Sequence, residues 1–124
     1  MANRYKNANF DLTTDTATDI YTCPAESRAI VQNVHMANIG SGNVVVHAHI
    51  FDNSESKQFT FAKHTIAASD SKSMSDGSIV LEENDVLRVQ ADSANDIEGT
   101  ASILEFDRTW YASNKTQENN RKNN

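Results

Sequence analysis

The chain is 124 residues long, the size of one domain, and its 17 acidic against 11 basic side chains give a formal net charge of −6, which disfavours a bulk electrostatic hold on nucleic acid. Hydrophobic residues make up 38%, thin for a globular domain yet enough at this length to bury roughly two-thirds of the unfolded surface. The single cysteine, Cys23, excludes an intrachain disulfide and a Cys-rich zinc site. No apolar run exceeds three residues, whereas a membrane helix needs roughly 20.

In chain order, residues 1–14 (MANRYKNANFDLTT) carry Arg4 and Lys6 but no apolar stretch, so they read as a basic N-terminal arm without a secretory signal. Residues 19–23 read as a strand. Residues 28–39 form a longer one with Ile30, Val34 and Met36 on one face, and Gly40, Ser41, Gly42 and Asn43 join it as a hairpin loop to the next. In that next strand Val44, Val46, Ala48 and Ile50 share one face and Val45, His47, His49 and Phe51 the other. Further strands are expected at 57–62, 78–82, 86–91 and 97–106, separated by Ser, Asp and Asn clusters. Residues 66–77 show no sustained 3.6-residue period and read as a loop or an edge strand. No segment reads as a helix. The tail, 113–124 (SNKTQENNRKNN), has no apolar residue and cannot join a core. The expected architecture is an all-β antiparallel sandwich over residues 15–112, jelly-roll or Ig-like, between extended N- and C-terminal arms. Charge follows the same division. Residues 1–10 sum to +2, residues 11–112 to −10 and residues 113–124 to +2.

Three segments stand out in this grammar: Ile20-Tyr21-Thr22-Cys23-Pro24-Ala25, Arg28-Ala29-Ile30-Val31 continuing to Ala37-Asn38-Ile39, and Ile79-Val80-Leu81-Glu82-Glu83-Asn84-Asp85-Val86-Leu87-Arg88-Val89. Together they resemble a family of small β-sandwich virion structural proteins of tailed bacteriophages. In the third, Asn84 stands where the family has Gly in a tight turn, and Asn tolerates the left-handed conformation such a turn requires. The resemblance implies a non-enzymatic capsid decoration (cement) protein at the capsid surface. Its partners would be the major capsid protein and copies of itself, a trimer among them. Neither nucleic acid nor membrane is an expected partner. A head-neck or tail accessory subunit and a tail-borne carbohydrate-binding module are the alternatives.

The residues expected to touch capsid or neighbouring subunits are Arg4, Tyr5, Lys6 and Phe10 at one end and Trp110, Tyr111, Lys115, Arg121 and Lys122 at the other. They combine cationic and aromatic groups of the kind enriched at interfaces. Phe10 and Trp110 have a second reading as caps on the sandwich edge. Catalytic chemistry is not written in the chain. Cys23 reads as buried and lacks a neighbouring His, and the Ser-x-x-Lys matches at Ser54–Lys57 and Ser69–Lys72 lack their companion motifs. His47 and His49 project from one strand face, with His35 on the strand thought to pair with it, but no third ligand is defined, so neither metal nor cofactor is expected. Glu82, Glu83 and Asp85 crowd one turn without the spacing of a calcium loop. Only 7% of residues are aromatic, which leaves Phe51, Phe59 and Phe61 as the available glycan platform.

Overall fold

The computed structural model describes residues 3–107. These form nine strands: β1 (Asn3–Leu12), β2 (Thr18–Thr22), β3 (Ser27–Asn38), β4 (Val44–Asp52), β5 (Lys57–Ile66), β6 (Ser71–Ser73), β7 (Ile79–Leu81), β8 (Val86–Ala91) and β9 (Ile97–Asp107). All pairings are antiparallel. One sheet has the order β1-β9-β3, with β6 and β7 both on the free edge of β3, and the other has the order β2-β8-β4-β5. Only β4 and β5 are joined in sequence and paired in space; every other connection between the long strands carries the chain from one sheet to the other. Counting β6 and β7 as one interrupted strand, this is the eight-stranded jelly roll. It is not the Ig arrangement, in which consecutive strands pair within a sheet.

Alternation explains why these segments fold so. Ala29, Val31, Val34 and Met36 of β3, Val44, Val46 and Ala48 of β4, Leu87, Val89 and Ala91 of β8 and Ile97, Ala101 and Ile103 of β9 are buried between the sheets. Cys23 is fully buried among them, as expected. Asn84 takes the left-handed conformation, φ 68°, and its amide donates to the Cys23 carbonyl, tying the β7–β8 turn to the end of β2.

Three expectations are corrected. Residues 3–12 are not an arm: they form edge strand β1, in unbroken register with β9 from Asn3 opposite Phe106 to Leu12 opposite Ile97. Ala8, Phe10 and Leu12 supply an inward face whose period-two signal is diluted by the basic and Asn residues around it. The Gly40–Asn43 loop is not a hairpin, because β3 and β4 lie in different sheets. Buried Asn38 fixes the crossing: its amide donates to the carbonyls of Gly42 (2.7 Å) and Ile66 (2.9 Å), and its Oδ1 accepts from the Gly40 amide. A Gly-rich loop of this length serves an arch between sheets as well as a hairpin, so composition does not distinguish them. Finally, Ile30 does not share a face with Val34 and Met36. A bulge at Gln32, between the pairs Val31–Ile103 and Asn33–Ser102, shifts the alternation by one residue and turns Ile30 outward. Residues 66–77 contain the short edge strand β6, one of the two expected alternatives, and residues 113–124 lie outside the described residues.

Candidate functional site

The outer face of the five-stranded sheet carries an apolar row set by strand register. Tyr5 of β1 lies opposite Leu104 of β9, Leu104 opposite Ile30 of β3, and Ile30 opposite Val80 of β7. The four side chains therefore line up across the whole width of the sheet, with Phe106 in the adjacent row opposite Arg28. Tyr5 is 79% and Val80 63% exposed, and Ile30, Leu104 and Phe106 are partly so. On the other side of the row the face becomes polar, with Asn7, Ser102 and Asn33, then Asn9 and Thr100, whose hydroxyl donates to Asn9 at 2.7 Å. This contiguous apolar row is the candidate contact surface.

The outer face of the four-stranded sheet is its opposite. Arg88 of β8 donates to Asp19 of β2 at 2.5 Å and to Gln58 of β5 at 3.2 Å, and its guanidinium sits 4.5 Å over the Phe51 ring. His49, buried by its neighbours, is held between the Thr60 hydroxyl (2.9 Å) and the Gln90 side chain (3.1 Å), and Gln90 in turn donates to the Asp15 carbonyl. His47 stacks on His49 with ring centroids 5.7 Å apart. Burial, then the neighbouring His49 and Lys63, hold His47 below its ordinary pKa. His35 is on the opposite side of the molecule, opposite Thr100 on the five-stranded sheet, because β3 and β4 do not pair. Among the described residues no three His, Cys, Asp or Glu side chains gather as a metal site. Nor do the phenylalanines offer a platform: Phe51 lies under Arg88, Phe61 packs against the core and Lys57 sits 5.0 Å over Phe59.

The expected contact residues separate. Tyr5 is in the apolar row. Lys6 faces the other way, into the open end of the sandwich, where its ammonium is 3.2 Å from the buried Glu105 carboxylate. Tyr21 from the second sheet donates its phenol hydrogen to the same carboxylate at 2.5 Å, so Glu105 joins the two layers. Burial and this carboxylate push the Tyr21 phenol far above its ordinary value. Burial, then the Glu105 and Asp85 charges, push the Cys23 thiol up to about 11, which leaves it unreactive. Arg4 is exposed, in register with Glu105. Phe10 packs against the core across Gly99, where a side chain would collide with its ring. Trp110, Tyr111, Lys115, Arg121 and Lys122 lie outside the described residues.

Ile30, Val80 and Leu104 are absent from the expected contact residues. The sequence does contain a signal for each of them. Where a strand with one buried face carries consecutive apolar residues, as in Ile79-Val80-Leu81 and Ile103-Leu104, one of them must face outward. Ile30 carries the same signal in Ala29-Ile30-Val31, but the bulge that separates it from the face of Val34 and Met36 is invisible in composition.

No family model matches the chain, and no curated protein matches it. Solved structures do. A chain of the acid-stable capsid of the Helicobacter pylori bacteriophage KHP30 aligns over 87% of this chain and 90% of its own, with a TM-score of 0.54 and 15% identity. This chain has a jelly-roll fold of the kind found in viral capsids. A chain of the T13 IBDV particle shares it over 84% of this chain and 31% of that one (TM-score 0.53, 7% identity). A chain of the disulfide-linked pili of Bacillus endospore appendages does so over 86% and 90% (TM-score 0.52, 13% identity). At these identities the likeness is one of fold.

Proposed function

We propose that this chain is a non-enzymatic structural subunit of a tailed-bacteriophage virion, a capsid decoration protein that bridges neighbouring copies of the major capsid protein at the capsid surface. The observation that carries this reading is the alignment with the KHP30 capsid chain over nearly the whole of both chains. A jelly roll with one outer face closed by its own polar contacts and the other crossed by an apolar row suits a subunit that shows one side to water and seats the other on a protein shell. Multivalent attachment, as in a trimer on a threefold position, would multiply a weak contact. The pilus-like neighbour is described as disulfide-linked. Here the only cysteine, Cys23, is fully buried, and a disulfide between subunits would require it to leave the core.

Quantifying this chain against the major capsid protein in purified particles tests the proposal. A ratio of one copy per capsid subunit, or per few, is expected. A small fixed number per particle would move the chain to the neck or tail, the alternative assignment, and absence from particles would overturn the virion role. Added purified chain should bind particles stripped of it, and Val80→Lys should abolish that binding while leaving the domain folded.

A further inference from the structure

The sandwich has four edges among the described strands, and three of them are blunted. Strand β2 is five residues long and is bulged at Ile20, between the pairs Asp19–Arg88 and Tyr21–Leu87. Strand β5 is bulged at Phe61, between Thr60 opposite His49 and Ala62 opposite Ala48. The edge of β3 is lined by β6 and β7, of three residues each. Bulges and short edge strands of this kind hinder pairing with another chain. Strand β1 has neither: its ten residues run in unbroken register with β9, contain no Gly or Pro, and are exposed from Asn3 to Asn7. We propose that this edge pairs antiparallel with β1 of a second copy, about a two-fold axis normal to the sheet.

Charge selects the partner and its direction. Residues 3–107 carry 7 basic and 16 acidic side chains, so two copies repel over most of their surfaces. Strand β1 differs, because its two cations, Arg4 and Lys6, precede its one acid, Asp11. Parallel copies would set like charges side by side, whereas antiparallel copies set unlike charges together. Lys6 is already engaged by Glu105 at 3.2 Å, which leaves Arg4 as the cation of the edge. A two-fold axis normal to the sheet keeps outer-face residues opposite outer-face residues, so the registers of greatest overlap are centred on Asn7 or on Ala8. The first places Arg4 opposite the partner's Phe10 and the second opposite the partner's Leu12. In both, Arg4 is one position from the partner's Asp11, with Cα atoms about 6 Å apart. Within one chain the same two residues are about 24 Å apart along the strand. An unrelated extended peptide would gain the main-chain ladder of about eight hydrogen bonds but not this match. The axis also puts both Tyr5–Leu104–Ile30–Val80 rows on the same side of one continuous sheet, so that two rows, each small beside a standard interface, face a single partner together. The pairing depends on the fold alone and not on the capsid assignment.

Sedimentation equilibrium of the full-length protein across the micromolar range tests this, with the mass expected to rise from that of one chain to that of two. Arg4→Glu and Asp11→Arg should each weaken the association by about tenfold, there being two such contacts per pair, with far-ultraviolet circular dichroism unchanged. The double variant should restore it, because the exchanged charges meet only across the two-fold axis. Lys63→Glu on the edge strand β5 should leave the association in place. A one-chain mass at every concentration would overturn the proposal, as would an association indifferent to Arg4→Glu or a double variant no stronger than either single one. A limiting mass of three chains would overturn it too, since an antiparallel edge pair closes at two. Loss of association in Lys63→Glu alone would move the contact to the other edge and overturn the assignment to β1.

Discussion

The two outer faces of this sandwich solve the same problem differently. On the four-stranded sheet, Asp19, Arg88, Gln58, His49, Thr60 and Gln90 satisfy one another, and Phe51 is roofed by a guanidinium. On the five-stranded sheet, Tyr5, Leu104, Ile30 and Val80 present a row with no such cover among the described residues. A sheet face that satisfies its own hydrogen bonds gains little from a partner, because any partner must match what it displaces. A face with exposed apolar side chains gains by being covered. Of the two outer faces, the polar one therefore adds to stability and the apolar one is left to gain from a cover.

That division can be attacked from several positions. The largest loss is expected at the joint between the layers: Glu105→Ala removes the acceptor shared by Lys6 and Tyr21 and should lower unfolding free energy by about 2–4 kcal/mol, read from urea denaturation. On the closed face, Arg88→Ala removes the Asp19 pair, the Gln58 bond and the contact with Phe51 together. Since Asp19 is largely exposed, about 1–2 kcal/mol is expected. Acid should act on that same face. The folded pKa of His47 is depressed, so the unfolded chain binds the proton more readily. Stability should decline as pH falls below the unfolded value of about 6.5, and His47→Gln should flatten the melting-temperature profile there. The smallest effect on stability is expected on the open face, where Val80→Lys should change unfolding free energy by no more than about 0.5 kcal/mol. Equal losses from Arg88→Ala and Val80→Lys would erase the distinction between the faces.

Much of the fold is legible in the residues, and what is not has identifiable physical causes. The strands around Val44, Val86 and Ile97 announce themselves by alternation, and the Asn84 turn by the tolerance of Asn for positive φ. Strand β1 is hidden because its inward face holds only Ala8, Phe10 and Leu12 among basic and Asn side chains. Sheet membership is hidden more deeply. Nothing local to Gly40–Asn43 tells a hairpin from an arch, and the choice is made by Asn38 reaching Ile66, 28 residues away. The apolar row shares both difficulties. It is assembled by register across four strands and depends on one bulge at Gln32, so runs of consecutive apolar residues mark single outward side chains while their alignment into a row is not legible.

The pairing of the first strand with the last also governs how fast the molecule can form. Asn3 meets Phe106, and among the described strands β1 pairs with β9 alone. Strand β1 must wait until nearly the whole of the described domain has left the ribosome, and closing so long a loop precedes any reward from the contacts it makes. Folding is then a late, whole-chain event on the slow side for a domain of this size, and the edges of β1 and β3 that β9 will cover stay open to other chains in the interval.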